Sequence, residues 1–156
     1  MPGPERRGPP LSASNFPTPR KPPRMSDNPS FKNPDTVAAP IGAYSHVAVV
    51  PAGSALIAFA GQVGNTPEGD VPAEPERQYG NALRNILRLL ESEGAGPEHL
   101  VKLNTYLVQA MDLAAVAAIR TSVFGTARPA STLVYVPQLA APQYLVEVEA
   151  WAVRPA

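Results

Sequence analysis

From Ser45 onward the apolar positions fall into two periodicities, one of two residues and one near 3.6, and their order predicts the elements. Ser45 to Val50 and Ala55 to Ala60 read as strands. The turn chemistry of Pro51-Ala52-Gly53-Ser54 joins them as a hairpin. Gly61 to Pro75 is a loop, long in the way functional loops often are. A helix then starts at Pro75-Glu76. Tyr79, Leu83, Ile86, Leu87 and Leu90 form its apolar stripe, and Gly94 and Gly96 stop it. His99 to Val108 reads as a long strand. Asp112 is placed to cap a second helix that runs to about Phe124, with Leu113, Val116, Ile119 and Val123 inward and Gly125 closing it. Arg128 to Val136 and Leu145 to Val153, rich in β-branched and aromatic residues, supply the last two strands. The order ββαβαββ predicts an α+β fold, a single mixed sheet with both helices packed on one face.

The last strand alternates strictly. Val146, Val148, Ala150 and Ala152 share one face, while Leu145, Glu147, Glu149, Trp151 and Val153 share the other. Carboxylates beside a tryptophan are costly against a core unless paired or wet. That face is therefore a solvated surface, an interfacial ion-pair row or the floor of a pocket. Glu147 and Glu149, two positions apart on a strand, stand about 6.5–7 Å from each other, a spacing that suits one substrate contact better than two. Tyr106, Tyr135 and Trp151 are assigned to the same uncovered side. An apolar patch of that size marks an interface, so the chain is expected to be an oligomer.

Composition changes the picture mainly at the N-terminus. Residues 1–40 hold eleven of the twenty prolines, six basic residues and three acidic ones, and Leu11, Phe16 and Phe31 show no periodicity. Such a segment buries too little apolar area to offset its ordering entropy. Residues 1–38 are expected to be a disordered, Pro-rich, basic extension and residues 39–156 the folded domain. Met25-Ser26-Asp27 reads as an alternative start. The 156 residues carry 13 basic and 13 acidic side chains, so no global charge draws the chain to nucleic acid or a membrane surface. The absence of cysteine excludes disulfides, thiolate metal sites and a thiol nucleophile. No apolar run spans a bilayer and no h-region precedes the basic N-terminus, so the expected location is the cytoplasm.

Five short stretches carry a resemblance. They are Pro40-Ile41-Gly42-Ala43-Tyr44-Ser45, Phe59-Ala60-Gly61-Gln62-Val63, the helix ending at Glu93-Gly94, Val101 to Val108, and Pro129-Ala130 with Val146-Glu147-Val148-Glu149. In this order and spacing they resemble the Rid (YjgF) family of imine and enamine deaminases, from about Ala39 to Val153. The resemblance implies a fold of the bacterial chorismate mutase type, a homotrimer, and a small-molecule ligand in a cleft at each subunit interface; separately, no cofactor and no metal are expected. It implies that Glu147 positions the hydrolytic water as the catalytic residue and that Tyr44 lines the cleft. The family's carboxylate-holding arginine in Pro-Ala-Arg-Ser/Thr is replaced here by Ser131. Ala117 and Ala60 also depart from the family's usual asparagine and hydroxyl residue. The expectation is a divergent member, not tuned for carboxylates derived from amino acids.

The remaining candidates follow from chemistry. The Ser131 and Thr132 hydroxyls are candidates to orient a neutral substrate. Arg128, extended before Pro129, is a candidate to supply the missing charge, against the blander reading of a surface arginine. Arg120 on the second helix is a weaker one. His46 and His99 lack ligand spacing and read as strand-end or cap histidines. Gly61-Gln62-Val63-Gly64 does not open a helix and is no phosphate loop. No basic and aromatic interleaving suggests single-stranded RNA. Two functions follow, an imine or enamine hydrolase and a metabolite-binding or interaction trimer without catalysis.

Overall fold

The computed structural model describes residues 28–155. The elements are β1 (Ser30–Lys32), β2 (Val47–Val49), β3 (Leu56–Val63), α1 (Pro75–Ser92), β4 (Leu100–Leu107), α2 (Leu113–Phe124), β5 (Ala130–Tyr135) and β6 (Val146–Val153). A short 3-10 turn, Pro97–His99, leads into β4. Four strands form a mixed sheet in the order β3-β6-β4-β5. β6 is antiparallel to both β3 and β4, and β4 runs parallel to the edge strand β5. Both helices cover one face, as the element order predicts.

That face is the core. Tyr79, Leu83, Ile86 and Leu90 of α1 are fully buried against Val146, Val148, Ala150 and Ala152 of β6 and against Leu103 and Leu107 of β4. The stripe read from the sequence is thus the packed one. Pro at the first helical position presets φ and wastes no backbone donor. At the other end Gly94 takes φ 69°, which a side-chain-bearing residue adopts only at a cost. Asp112 caps α2 as expected, accepting from the Ala114 backbone N–H at 3.0 Å.

Two expectations do not hold. β2 does not pair with β3. It pairs antiparallel with β1, while β3 pairs with β6. The turn signals at residues 51–54 do reverse the chain (Ser54 N–H donates to the Pro51 carbonyl, 3.2 Å), but a turn sets a reversal and not a partner. The partner comes from Phe31 and its neighbours, in the segment read as part of the extension. Within residues 28–38, therefore, the chain already carries a strand. The rest of the expected extension, with the alternative start at Met25, lies outside the described residues.

Among the described residues no helix is long and apolar enough to cross a membrane.

Candidate functional site

A cavity of about 330 Å³ lies on the helix-covered side at the edge strand β5. Three pieces of chain build it: the segment before β2, α2, and the odd-numbered positions of β5. The first piece is tied down firmly. Ser45 bridges Ala130 in parallel fashion and donates its N–H to the Pro129 carbonyl at 3.2 Å. His46 holds the segment from the other side. Its N–H donates to Asn33 Oδ1 at 2.8 Å, and its ring Nε2 lies 2.7 Å from the Ala38 carbonyl. The Tyr44 ring meets the His46 ring edge-on at 5.7 Å. These contacts fix Tyr44, half-buried, in the cavity wall beside Ser131.

Arg120 sits at the cavity's polar end. It is 4% exposed, and its partners are all neutral. Nε donates to the Tyr79 hydroxyl at 3.1 Å, and Nη1 donates to Ser131 Oγ at 3.1 Å and to the Ala43 carbonyl at 3.4 Å. The inward face of α2 is therefore Val116, Arg120 and Phe124, with Ile119 and Val123 only partly buried and Leu113 half exposed. This corrects the expected stripe. Four alanines among residues 114–118 make α2 apolar nearly all round, so periodicity could not select a face.

The other sequence candidates divide between places. Ser131 and Tyr44 line the cavity, with Leu133 and Tyr135. Tyr135 had been assigned to the open face; the alternation of β5 puts it with Ser131 and Leu133. Thr132 points the other way and accepts from Lys102 Nζ at 2.7 Å on the exposed face of the sheet. Arg128 is not brought to the cavity. Its Nη1 donates to the Gly125 and Ala127 carbonyls at 2.8 and 2.9 Å, so it satisfies the C-terminal end of α2. His99 accepts from the Gly96 N–H at 2.9 Å, the cap role read for it.

The open face of the sheet holds the carboxylates. Glu149 stands opposite Asn104, and Glu147 opposite Tyr106. Glu149 accepts from Asn104 Nδ2 at 2.6 Å and from the Tyr106 hydroxyl at 3.2 Å. Desolvation pushes the Tyr106 hydroxyl above its ordinary pKa. The hydrogen bond to Glu149 and the charges of Glu149 and Glu147 push it further. Glu147 is half-buried and accepts no hydrogen bond from a described residue. It lies over Gly61, at the irregularity where β3 shifts register against β6. A Cβ at position 61 would overlap the Glu147 carboxylate, so the glycine makes room for that side chain.

Comparison with known proteins fits this architecture. Residues 35–154 match the family described as endoribonuclease L-PSP. The chain belongs to the Rid (YjgF) family. It is 32% identical over 121 residues to a RutC family protein of Pyrococcus abyssi, covering 74% of this chain and 89% of that one. Its fold is similar to that of a Rid-family protein of unknown function, YyfB, from Yersinia pestis. The TM-score is 0.74 and the identity 31%, over 81% of this chain and 98% of that one. It is also similar to a YjgF/YER057c/UK114 family member from Mycobacterium tuberculosis, with a TM-score of 0.55, 29% identity, and 70% and 86% coverage. In this chain Ser131 accepts from Arg120, the arginine of α2 that the sequence made a weaker candidate than Arg128.

Proposed function

We propose that this Rid-family domain assembles as a homotrimer and hydrolyses an imine or enamine in clefts between its subunits. The observation that carries the reading is Glu147. A half-buried carboxylate with no donor among the described residues, over a glycine that leaves it space, is what positioning a water requires. The cavity with Tyr44 and Ser131 lies on the other face of the same sheet. The two therefore meet only when one subunit's open face approaches another's β5 edge. In such a cleft the water held by Glu147 adds its oxygen to the C=N carbon. Its protons pass to nitrogen, the C–N bond breaks, and a carbonyl and ammonia leave.

A second reading, a binding trimer without turnover, is supported by Ser131, whose Oγ accepts from the Arg120 guanidinium and is thereby made less basic. Glu147→Gln separates the two. It keeps the shape and removes the base. With an imine generated in solution by an amino-acid oxidase, the hydrolysis reading expects wild-type acceleration and a loss of about a hundredfold or more in the mutant, with trimer and melting temperature unchanged. No acceleration by wild type supports the binder. If Glu147→Gln loosens the trimer instead, the carboxylate serves an interfacial ion pair.

A further inference from the structure

The cationic side chain that lines the cavity is Arg120, on α2. We infer that Arg120 is the anion-holding group of the cavity, and that the cavity takes a small apolar monocarboxylate with no ammonium beside its carboxylate. The inference rests on reading this cavity as the ligand-holding half of the cleft.

Three observations carry it. First, the Arg120 guanidinium is 4% exposed and has no carboxylate partner among the described residues. A buried cation without a counter-charge is costly, and a bound anion offsets that cost. Second, the donors are partly free. Of five N–H groups, Nε supplies one and Nη1 two to neutral acceptors, which leaves both Nη2 hydrogens without a described acceptor. Nη2 is not sealed in the core either. Thr105 Oγ1 is the sole enclosed, unpartnered side-chain polar atom among the described residues. Packing Nε and Nη1 against Tyr79, Ser131 and Ala43 also holds the fork in one orientation, which suits a planar carboxylate. Third, the rest of the wall selects the remainder of the ligand. No aspartate or glutamate lines the cavity, so nothing there pairs with an ammonium, and the guanidinium repels one. Val116 and Leu133 form the sides, and Ile41, Leu113 and Tyr135, all largely exposed, form an apolar rim. A ligand with its carboxylate on Arg120 lays its hydrocarbon on that rim.

The test is titration calorimetry on the full chain with three probes of one skeleton: isocaproate, L-leucine and isocaproamide. Isocaproate is expected to bind about tenfold or more tighter than either of the others, since only it offers a charge-assisted contact without an ammonium. Arg120→Lys, which keeps the charge and loses the fork, is expected to weaken it, and Arg120→Gln to abolish it. Should Arg120→Gln fail to fold, Leu133→Trp keeps the arginine and fills the cavity, and it is expected to abolish binding with an unchanged circular dichroism spectrum. Leucine or the amide binding as tightly as isocaproate overturns the inference, and so does the absence of isocaproate binding. The readout needs no turnover. Isocaproate binding without imine hydrolysis removes the proposed reaction and leaves this inference. Hydrolysis of neutral imines with no carboxylate preference does the reverse.

Discussion

On the helix-covered face of the sheet the charged side chain at the cavity is Arg120, enclosed and partnered by neutral groups. On the open face Glu147 and Glu149 stand two positions apart on β6, one held by the neutral donors Asn104 and Tyr106, the other by no described residue. Neither Arg120 nor Glu147 nor Glu149 forms an ion pair with a described residue. The contrast teaches that two incomplete chemistries can sit on one sheet. A cation wanting an anion and a carboxylate wanting a donor are kept apart by a layer of backbone. In the proposed trimer assembly would join them, and substitutions on the two faces should fail in different ways.

The largest effect is expected on the covered face. Leu83→Ala removes a fully buried side chain between α1 and the sheet and should cost about 2–5 kcal/mol, read as a fall in melting temperature. A fall of only a degree or two would mean that the covered face is not the core. On the open face Trp151→Asp adds a third carboxylate to the row of Glu147 and Glu149, at a residue 39% exposed. Light scattering should show the assembly shifted towards monomer, while the melting temperature of that monomer stays close to wild type. If the trimer persists, this face does not join subunits. Asn104→Ala removes one of two donors to Glu149 and should cost about 1 kcal/mol, since Tyr106 remains. Chemical denaturation measures it.

The smallest effect is in alkali. Tyr106 releases its proton above the ordinary value of 10.0 when folded. Its contribution to stability is therefore fully present below that pH. It is lost as pH rises through the folded value, because the unfolded chain has by then released the proton. Tyr106→Phe should flatten the alkaline decline of unfolding free energy. A slope unchanged by the substitution would assign the decline to other groups.

Most of the fold was legible because its periodicities are unambiguous. The alternation of Val146 to Ala152 and the α1 stripe each allow one packing, and each is the packing found. Where a segment is apolar nearly all round, as α2 is, the pattern loses its power, and Arg120 was a weaker candidate than Arg128 although it is the arginine that lines the cavity. Pairing was illegible for a different reason. The contact of β2 with β1 is decided by Phe31 in a proline-rich stretch without periodicity. Of the candidate site, Tyr44, Ser131 and Glu147 were found by resemblance. Arg128 was offered as a site cation against the blander reading of a surface arginine, and its guanidinium turns back to the carbonyls of Gly125 and Ala127, away from the cavity.

That the two half-sites belong to different subunits is tested most directly by mixing two dead proteins. Arg120→Gln spoils the cavity and leaves Glu147 intact, and Glu147→Gln does the opposite. After the two are unfolded together at equal concentration and refolded, random assembly into a ring pairs an intact cavity with an intact Glu147 at about one interface in four. The account predicts imine hydrolysis at about a quarter of the wild-type rate from two inactive parents. A mixture as inactive as either parent, with mixed trimers present by mass spectrometry, would contradict it.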